Sequence, residues 1–385
     1  MGNCCKSMIE FDQHKKLLRE KTVDLQEKEC QMRIHLKKEF FAEKEFIFLE
    51  DGQRRVTFFR YSTGVEAVKV ENSKGYFIIL PFQGQQIWRA SFLGHDLVMR
   101  TKFEEPVPTL EYLKTYGGFL LHCGISAFGS PQSDDNHPQH GETPNAPYRY
   151  AYLDCEEDYI AVGGYLDYDI SFVRNYTFHP ECRLYDDDTV LKLHVQLENR
   201  RCAPMEYMYL CHINFRPIDG ARLMYSADYD SDHVKVHRVI SDSLPKEQAE
   251  ALGAYMDALA GNPALHHEIG GIGQIYNPEI CFTVTYKGDE QNRGYTLQYN
   301  EEGACYVSHP VDVLPYGIRW MSRTGDEDSC GMVLPATAEH FGYQYAKRNG
   351  QIKVLGGNET LEFVIEAGYL APEQAEALIR EKGLI

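Results

Sequence analysis

Positive charge is in short supply in this sequence. Lys and Arg total 39 against 57 Asp and Glu, a formal net charge of −18 over 385 residues. Nucleic acids and anionic lipid surfaces both select basic proteins, so neither is expected as a partner. Long apolar runs are also missing. No stretch of about 18 apolar residues occurs, so no helical membrane span is expected, and the opening residues lack a secretory pattern. The 11 cysteines contain no CxxC pair, which fits reduced thiols in a cytoplasmic protein better than a disulfide framework. The start MGNCCKS resembles an acylation signal but carries Lys6 where Ser or Thr belongs. Internal repeats and low-complexity linkers are absent too.

What is present is a strand-rich texture. From Arg54 onward, short runs such as RRVTFFRY, GYFIILPF and DYIAVGGYLDY are separated by Gly, Asn and Pro. TVLKLHVQLEN alternates almost strictly, which predicts one buried and one wet face. Many antiparallel strands without a βαβ rhythm imply an all-β fold, a large β-sandwich in one domain over residues 51–385. Residues 1–50 read as a helical N-terminal extension, because residues 10–46 are charge-rich with Leu and Met at intervals. Two further helices are expected. One lies within Leu244–Pro263, and a short C-terminal one lies in APEQAEALIREKG with Gly383 as its stop.

The densest polar stretch is DDNHPQHGETPN, Asp134–Asn145. Pro138 between His137 and His140 rules out a regular helix through both. Two imidazoles and Glu142 would still need further ligands to hold a metal, and the sequence points to none, so no metal is expected. His140 before Gly141 reads instead as an imidazole presented at a backbone turn, able to give or take a proton. His212, inside the apolar YMYLCHINFRP, is either a buried histidine with a satisfied hydrogen bond or a functional one facing a cleft. Asn214 is two residues on and would share its face.

Taken in order, YGGFLLHCGI (Tyr116–Ile125), HPQHGETPNAP (His137–Pro147), YLCHINF and the late LPYGIRW and VLPAT resemble the aldose 1-epimerases, within the galactose mutarotase-like superfamily. The resemblance covers about Val56 to Leu370 and implies a β-supersandwich with an open sugar cleft, binding a monosaccharide or sugar derivative without a cofactor. It implies a reaction as well: a base takes the anomeric hydroxyl proton, an acid serves the ring oxygen, and the ring reopens and recloses on the other face of C1. By position His212 would be the acid and His140 its assistant. The family's base, a Glu directly before Pro, is replaced here by Leu334 before Pro335.

Glu142, Glu339 and Asp326 are the candidate substitutes. Glu142 is attractive because residues two apart in an extended segment share a face. Arg89, His137, Asn145, Asn214, Arg319 and Trp320 are the candidate sugar contacts, Arg319 as a hydrogen-bond fork and Trp320 as a stacking face. Two other readings stand beside the epimerase: a sugar isomerase or lyase using the same histidines, and a sugar-binding protein without turnover. A homodimer is left open.

Overall fold

The computed structural model describes residues 32–271 and 274–384. Val, Ile, Phe and Tyr runs with period-2 burial assemble two large antiparallel sheets, one of nine strands and one of thirteen. The nine-stranded sheet runs Met32–His35, Tyr150–Cys155, Tyr159–Ile170, Arg174–Tyr185, Val190–Asn199, Thr360–Leu370, Gly303–Pro310, Arg293–Asn300 and Arg222–Tyr225. Its centre shows the expected alternation. In Val190–Asn199, Leu191, Leu193, Val195 and Leu197 are buried while Lys192, His194, Gln196 and Glu198 keep solvent contact.

The other sheet carries the strands that matter for the polar motifs. In spatial order, Ile280–Thr285, Tyr316–Arg323, Asp328–Ala336, Met205–Ile213, Leu120–Ile125 and Ile87–Phe92 lie side by side. His212 and Trp320, distant in sequence, are thereby brought to one region of the sheet. The bulk of the buried apolar side chains form one continuous core. Burial of that surface is the main favourable term in folding.

Both internal helix expectations agree with the structure. Lys246–Gly261 buries Leu252, Tyr255, Met256 and Leu259 on one face. Pro372–Lys382 has Glu373 in its first turn, Arg380 and Lys382 in its last, and ends at Gly383 with φ 61°, as the helix dipole and a left-handed cap favour.

The N-terminal expectation is corrected. Residues 1–31 of the expected extension lie outside the described residues, but 32–50 are not an independent helix. Met32–His35 is an edge strand of the nine-stranded sheet and Phe46–Glu50 an edge strand of the other, with only a short 3-10 turn at Lys38–Phe40 between. The reason is tertiary. Arg33 places Nε and Nη2 on the two carboxylate oxygens of Asp154 at 2.8 and 2.6 Å. Phe41 is 3% exposed and stacks on Phe58 at a centroid distance of 5.1 Å. Charge density suggested a solvated helix, while two-sided edge pairing governs. Replacing Phe41 with Ala should therefore cost about 3–4 kcal/mol in urea unfolding. A change under about 0.5 kcal/mol would mean that this segment is peripheral.

Candidate functional site

The centre of the site is a loop held against a strand. The Gly124 N–H donates to the His140 carbonyl at 3.0 Å, and the Glu142 and Thr143 N–H groups both donate to the Gly124 carbonyl at 3.1 Å. The Thr143 hydroxyl adds a 2.7 Å bond to the His122 carbonyl. His140 adopts φ 59° and Gly141 φ 83°. A Cβ on Gly141 would come within 2.2 Å of the Ala127 carbonyl oxygen, so only glycine permits this approach. The left-handed conformation at a non-glycine residue is uncommon and clusters at functional positions.

This clamp carries the His140 ring to His212, which lies at the end of strand Met205–Ile213. Their centroids are 5.3 Å apart with planes at 78°. Tyr112 packs on His140 at 4.7 Å and Tyr116 on His212 at 5.6 Å. Trp320 stands 5.7 Å from His212 and 6.0 Å from Tyr116. Beneath them Asn214 accepts from the Tyr116 hydroxyl at 2.9 Å and donates to the Gly118 carbonyl at 2.9 Å. Nδ1 of both His140 and His212 is buried without a partner. His140 and Trp320 keep part of their rings in solvent, whereas His212 is 4% exposed.

Two pairs of sequence-predicted residues are thus together: His140 with His212, and Asn214 with Trp320 beside them. The others are elsewhere. Glu142 does not share a face with His140, because positive φ at residues 140 and 141 breaks the extended alternation. Its Oε1 accepts instead from the Ser126 N–H, the Ser126 hydroxyl and the Tyr176 hydroxyl at 2.9, 2.6 and 2.6 Å. Glu339 is buried, bonded by Gln351 at 2.8 Å and Tyr345 at 3.1 Å, with His237 at 3.9 Å. Asp326 is exposed in the Thr324–Glu327 turn. Leu334 is a core residue, 2% exposed.

Arg89 is occupied structurally, its guanidinium donating to the Trp88, Gly117, Phe103 and Glu104 carbonyls. Arg319 is fully buried. It donates to the Met332 carbonyl and to His266 and lies over the Tyr225 ring at 4.1 Å. Strand parity sends it to the opposite side from Trp320, so it is no fork for a sugar at the histidine pair. His137 turns to the Pro138 carbonyl and the Tyr343 N–H. Asn145 accepts from Gln86 and lines a separate cleft.

Four neighbours of the pair were not singled out from the sequence: Tyr112, Tyr116, His340 and Glu279. Tyr116 opens the Tyr-Gly-Gly motif, which was the available signal. His340 places Nε2 3.4 Å from the Cys281 thiol and is near enough to depress His140 electrostatically. Glu279, exposed just before strand Ile280–Thr285, accepts from the Trp320 indole N–H at 2.7 Å. It also acts on Tyr116, whose phenol is raised mainly by burial and further by the charges of Glu279 and Glu327. Nothing local in the sequence marks Glu279.

Electrostatically this is a neutral imidazole cluster. Burial pushes His212 down to about 4 and His340 to about 3. His140 is held well below the usual range, first by burial and then by His212, His340 and His137. Among the described residues, the one group with metal-ligand proximity is Asp228, Asp230 and His233, apart from this cluster. No described helix is long and apolar enough to cross a membrane.

With this geometry in view, the relatives are informative about fold. A family model described as a domain of unknown function, DUF4432, matches residues 62–232. No curated protein matches the chain. Among solved structures, a candidate aldose 1-epimerase from Klebsiella pneumoniae superposes with a TM-score of 0.73 at 15% identity, covering 92% of this chain and 91% of that one. A galactose mutarotase-like protein from Clostridium acetobutylicum gives 0.57 at 12% identity, covering 83% and 100%. A candidate mutarotase from Salmonella typhimurium gives 0.54 at 10%, covering 84% and 95%. The fold is the galactose mutarotase-like β-supersandwich.

The depressed histidines fix the sign of one pH effect. In the unfolded chain His212 titrates near 6.5, and in the fold near 4. Its contribution is therefore complete above about 6.5 and is lost as pH falls toward 4, up to about 3 kcal/mol. Urea midpoints at about pH 7 and about pH 4.5 should fall further apart in the native protein than in His212→Gln. Equal falls would remove His212 from the account.

Proposed function

We propose that the protein is an aldose 1-epimerase-like enzyme that interconverts the anomers of a free aldose or a close derivative. The observation that carries this reading is the convergence of two imidazoles, each with an unpartnered Nδ1, flanked by an indole and a phenol on a mutarotase-like fold. An indole face stacks on the apolar face of a pyranose, and neutral imidazoles offer N–H donors and lone pairs to its oxygens.

The reaction needs a base at the anomeric hydroxyl and a proton source at the ring oxygen. His212 is assigned to the ring oxygen and His140 to its support by hydrogen bonding. As the C1–O5 bond breaks, negative charge develops on O5. An anion developing beside a buried imidazole raises its pKa, so His212 takes up a proton from solvent as the charge builds and passes it to O5, while the base holds the proton of the anomeric hydroxyl. Reclosure on the other face of C1 reverses each transfer.

Leu334 removes the base expected from the family pattern. Of the carboxylates near the pair, Glu279 is the one whose side chain touches the Trp320 indole. It is solvent-exposed, and the Trp320 N–H binds only its Oε2. Glu279 is therefore assigned as the base, in place of Glu142 and Glu339. The Trp320 N–H would orient it.

Polarimetry on freshly dissolved pure anomers of aldohexoses and aldopentoses tests the reading. The protein should accelerate the approach to rotational equilibrium. His212→Asn and Glu279→Gln should each slow it about a hundredfold or more, the usual scale for a lost general acid or base. Glu142→Gln should leave the rate within about twofold, since its carboxylate serves Ser126 and Tyr176. Absence of acceleration with every aldose tried would sink the proposal, and heat of sugar binding without rotation change would favour a non-catalytic sugar protein.

A further inference from the structure

The hairpin of strands Tyr159–Ile170 and Arg174–Tyr185 runs on past the strands that flank it. On one side its pairing ends at Tyr150, opposite Tyr165, and on the other at Asn199, opposite Tyr176. The two strands stay paired with each other as far as Ile170 and Arg174, so the tip stands clear of both neighbours. It is nevertheless held in place. Arg201 donates to the Val173 carbonyl at 2.8 Å, Arg174 to the Glu206 carbonyl at 2.5 Å, and the Arg200 N–H to the Asn175 carbonyl at 3.1 Å.

What this arm presents is apolar. Ile170, Phe172 and Val173 are all exposed, Phe172 completely. The Val173 N–H donates to the Ile170 carbonyl at 2.9 Å, closing a turn whose third residue, Phe172, has φ 68°. Positive φ at that place favours Gly or Asn, so turn chemistry does not account for a phenylalanine. Single surface hydrophobes are ordinary, but an apolar group gathered on a braced projection marks a contact surface.

The root of the same arm helps to wall a cleft of about 1090 Å³. Tyr168 and Asp169 line it, as do Leu110, Leu113 and Tyr150, all three exposed. None of the three tip residues does. Three cations, Lys114, Arg149 and Arg200, stand against four carboxylates in the lining, a near balance on a chain of net charge −18. Two such acidic copies repel one another and approach best where charge cancels. Arg149 is exposed and makes no ion pair among the described residues. Asp169, next to the tip, keeps 61% of its side chain exposed.

We propose that the partner of this face is a second copy of the chain, the tip of each copy entering the cleft of the other. Arm and cleft adjoin, so one two-fold operation makes both contacts and the interface closes on itself. Ile170, Phe172 and Val173 of one copy cover Leu110, Leu113 and Tyr150 of the other, and Asp169 beside the incoming tip meets Arg149. Tyr112 borders the cleft and packs on His140 at 4.7 Å, which puts the partner's arm one side chain from the histidine pair. The pairing does not depend on that pair being catalytic.

Sedimentation equilibrium on the full chain should give twice the 44.2 kDa chain mass. Phe172→Gly deletes the ring and suits the positive φ, so its urea midpoint should be no lower than that of the native protein while dimerisation weakens about tenfold or more. Arg149→Glu should weaken it too, and Arg149→Glu combined with Asp169→Arg should recover most of that loss, which damage to the fold would not allow. A single-chain mass at every concentration up to about 100 µM would overturn the proposal, and so would a dimer indifferent to Phe172→Gly. Phe172-dependent binding to phosphatidylcholine vesicles by a protein that stays monomeric would assign the tip to lipid and overturn it as well. Polarimetry on free aldoses judges the anomerase reading separately, so each can fail alone.

Discussion

Everything at the histidine pair depends on how the Asp134–Asn145 segment is fastened to strand Leu120–Ile125. Three backbone hydrogen bonds to Gly124 and one from Thr143 fix the loop. They do so while residues 140 and 141 both hold positive φ. An irregular segment packed this deeply must find partners for its backbone groups, and the strand supplies them. The outcome is an imidazole on a loop positioned as firmly as one on a strand. A pair with centroids 5.3 Å apart needs both rings fixed, and the bonds to Gly124 and His122 fix the loop one.

Burial then sets the chemistry. Several histidines share a region where water is scarce, and like charges there are mutually unfavourable, so the resting cluster is neutral. A neutral cluster carries no standing attraction for anions, despite its many nitrogens. On the proposed reaction, it would respond to the charge that ring opening of a sugar creates. The strongly acidic surface, with net charge −18, acts in the same direction by disfavouring anionic ligands at long range.

Much of this was legible in the sequence, and the failures have specific causes. Strand texture and period-2 burial gave the two sheets, and the order of the glycine- and histidine-bearing motifs pointed to His140 and His212. Asn214 and Trp320 followed from their strand positions. Glu142 was misplaced because the face-sharing argument assumes extended backbone, and His140 and Gly141 are not extended. Arg319 was misplaced by a parity that only the register reveals, one residue from Trp320 yet enclosed against Tyr225. Residues 32–50 were read by composition, whereas pairing with Asp154 and the Phe58 ring decides their form. Glu279 could not be found locally at all. Its significance comes from Cys281 lying opposite Trp320 in the sheet register, which brings the start of that strand to the indole.

The leucine at position 334 and the carboxylate of Glu279 are separable questions. Leu334 is enclosed in the core of its strand, where an ionised Glu would be desolvated and unpaired, a costly state. Restoring Glu there would therefore damage the fold rather than recreate a base. On the proposed reading, a base would stand at a strand end that keeps contact with water. Strand Ile280–Thr285 offers such an end, because the residue preceding it is exposed while Ile280 itself is buried. The Trp320 N–H bond ties that exposed carboxylate to the wall of the histidine site. The same sheet thus buries position 334 and leaves Glu279 in contact with water, without altering the imidazole pair.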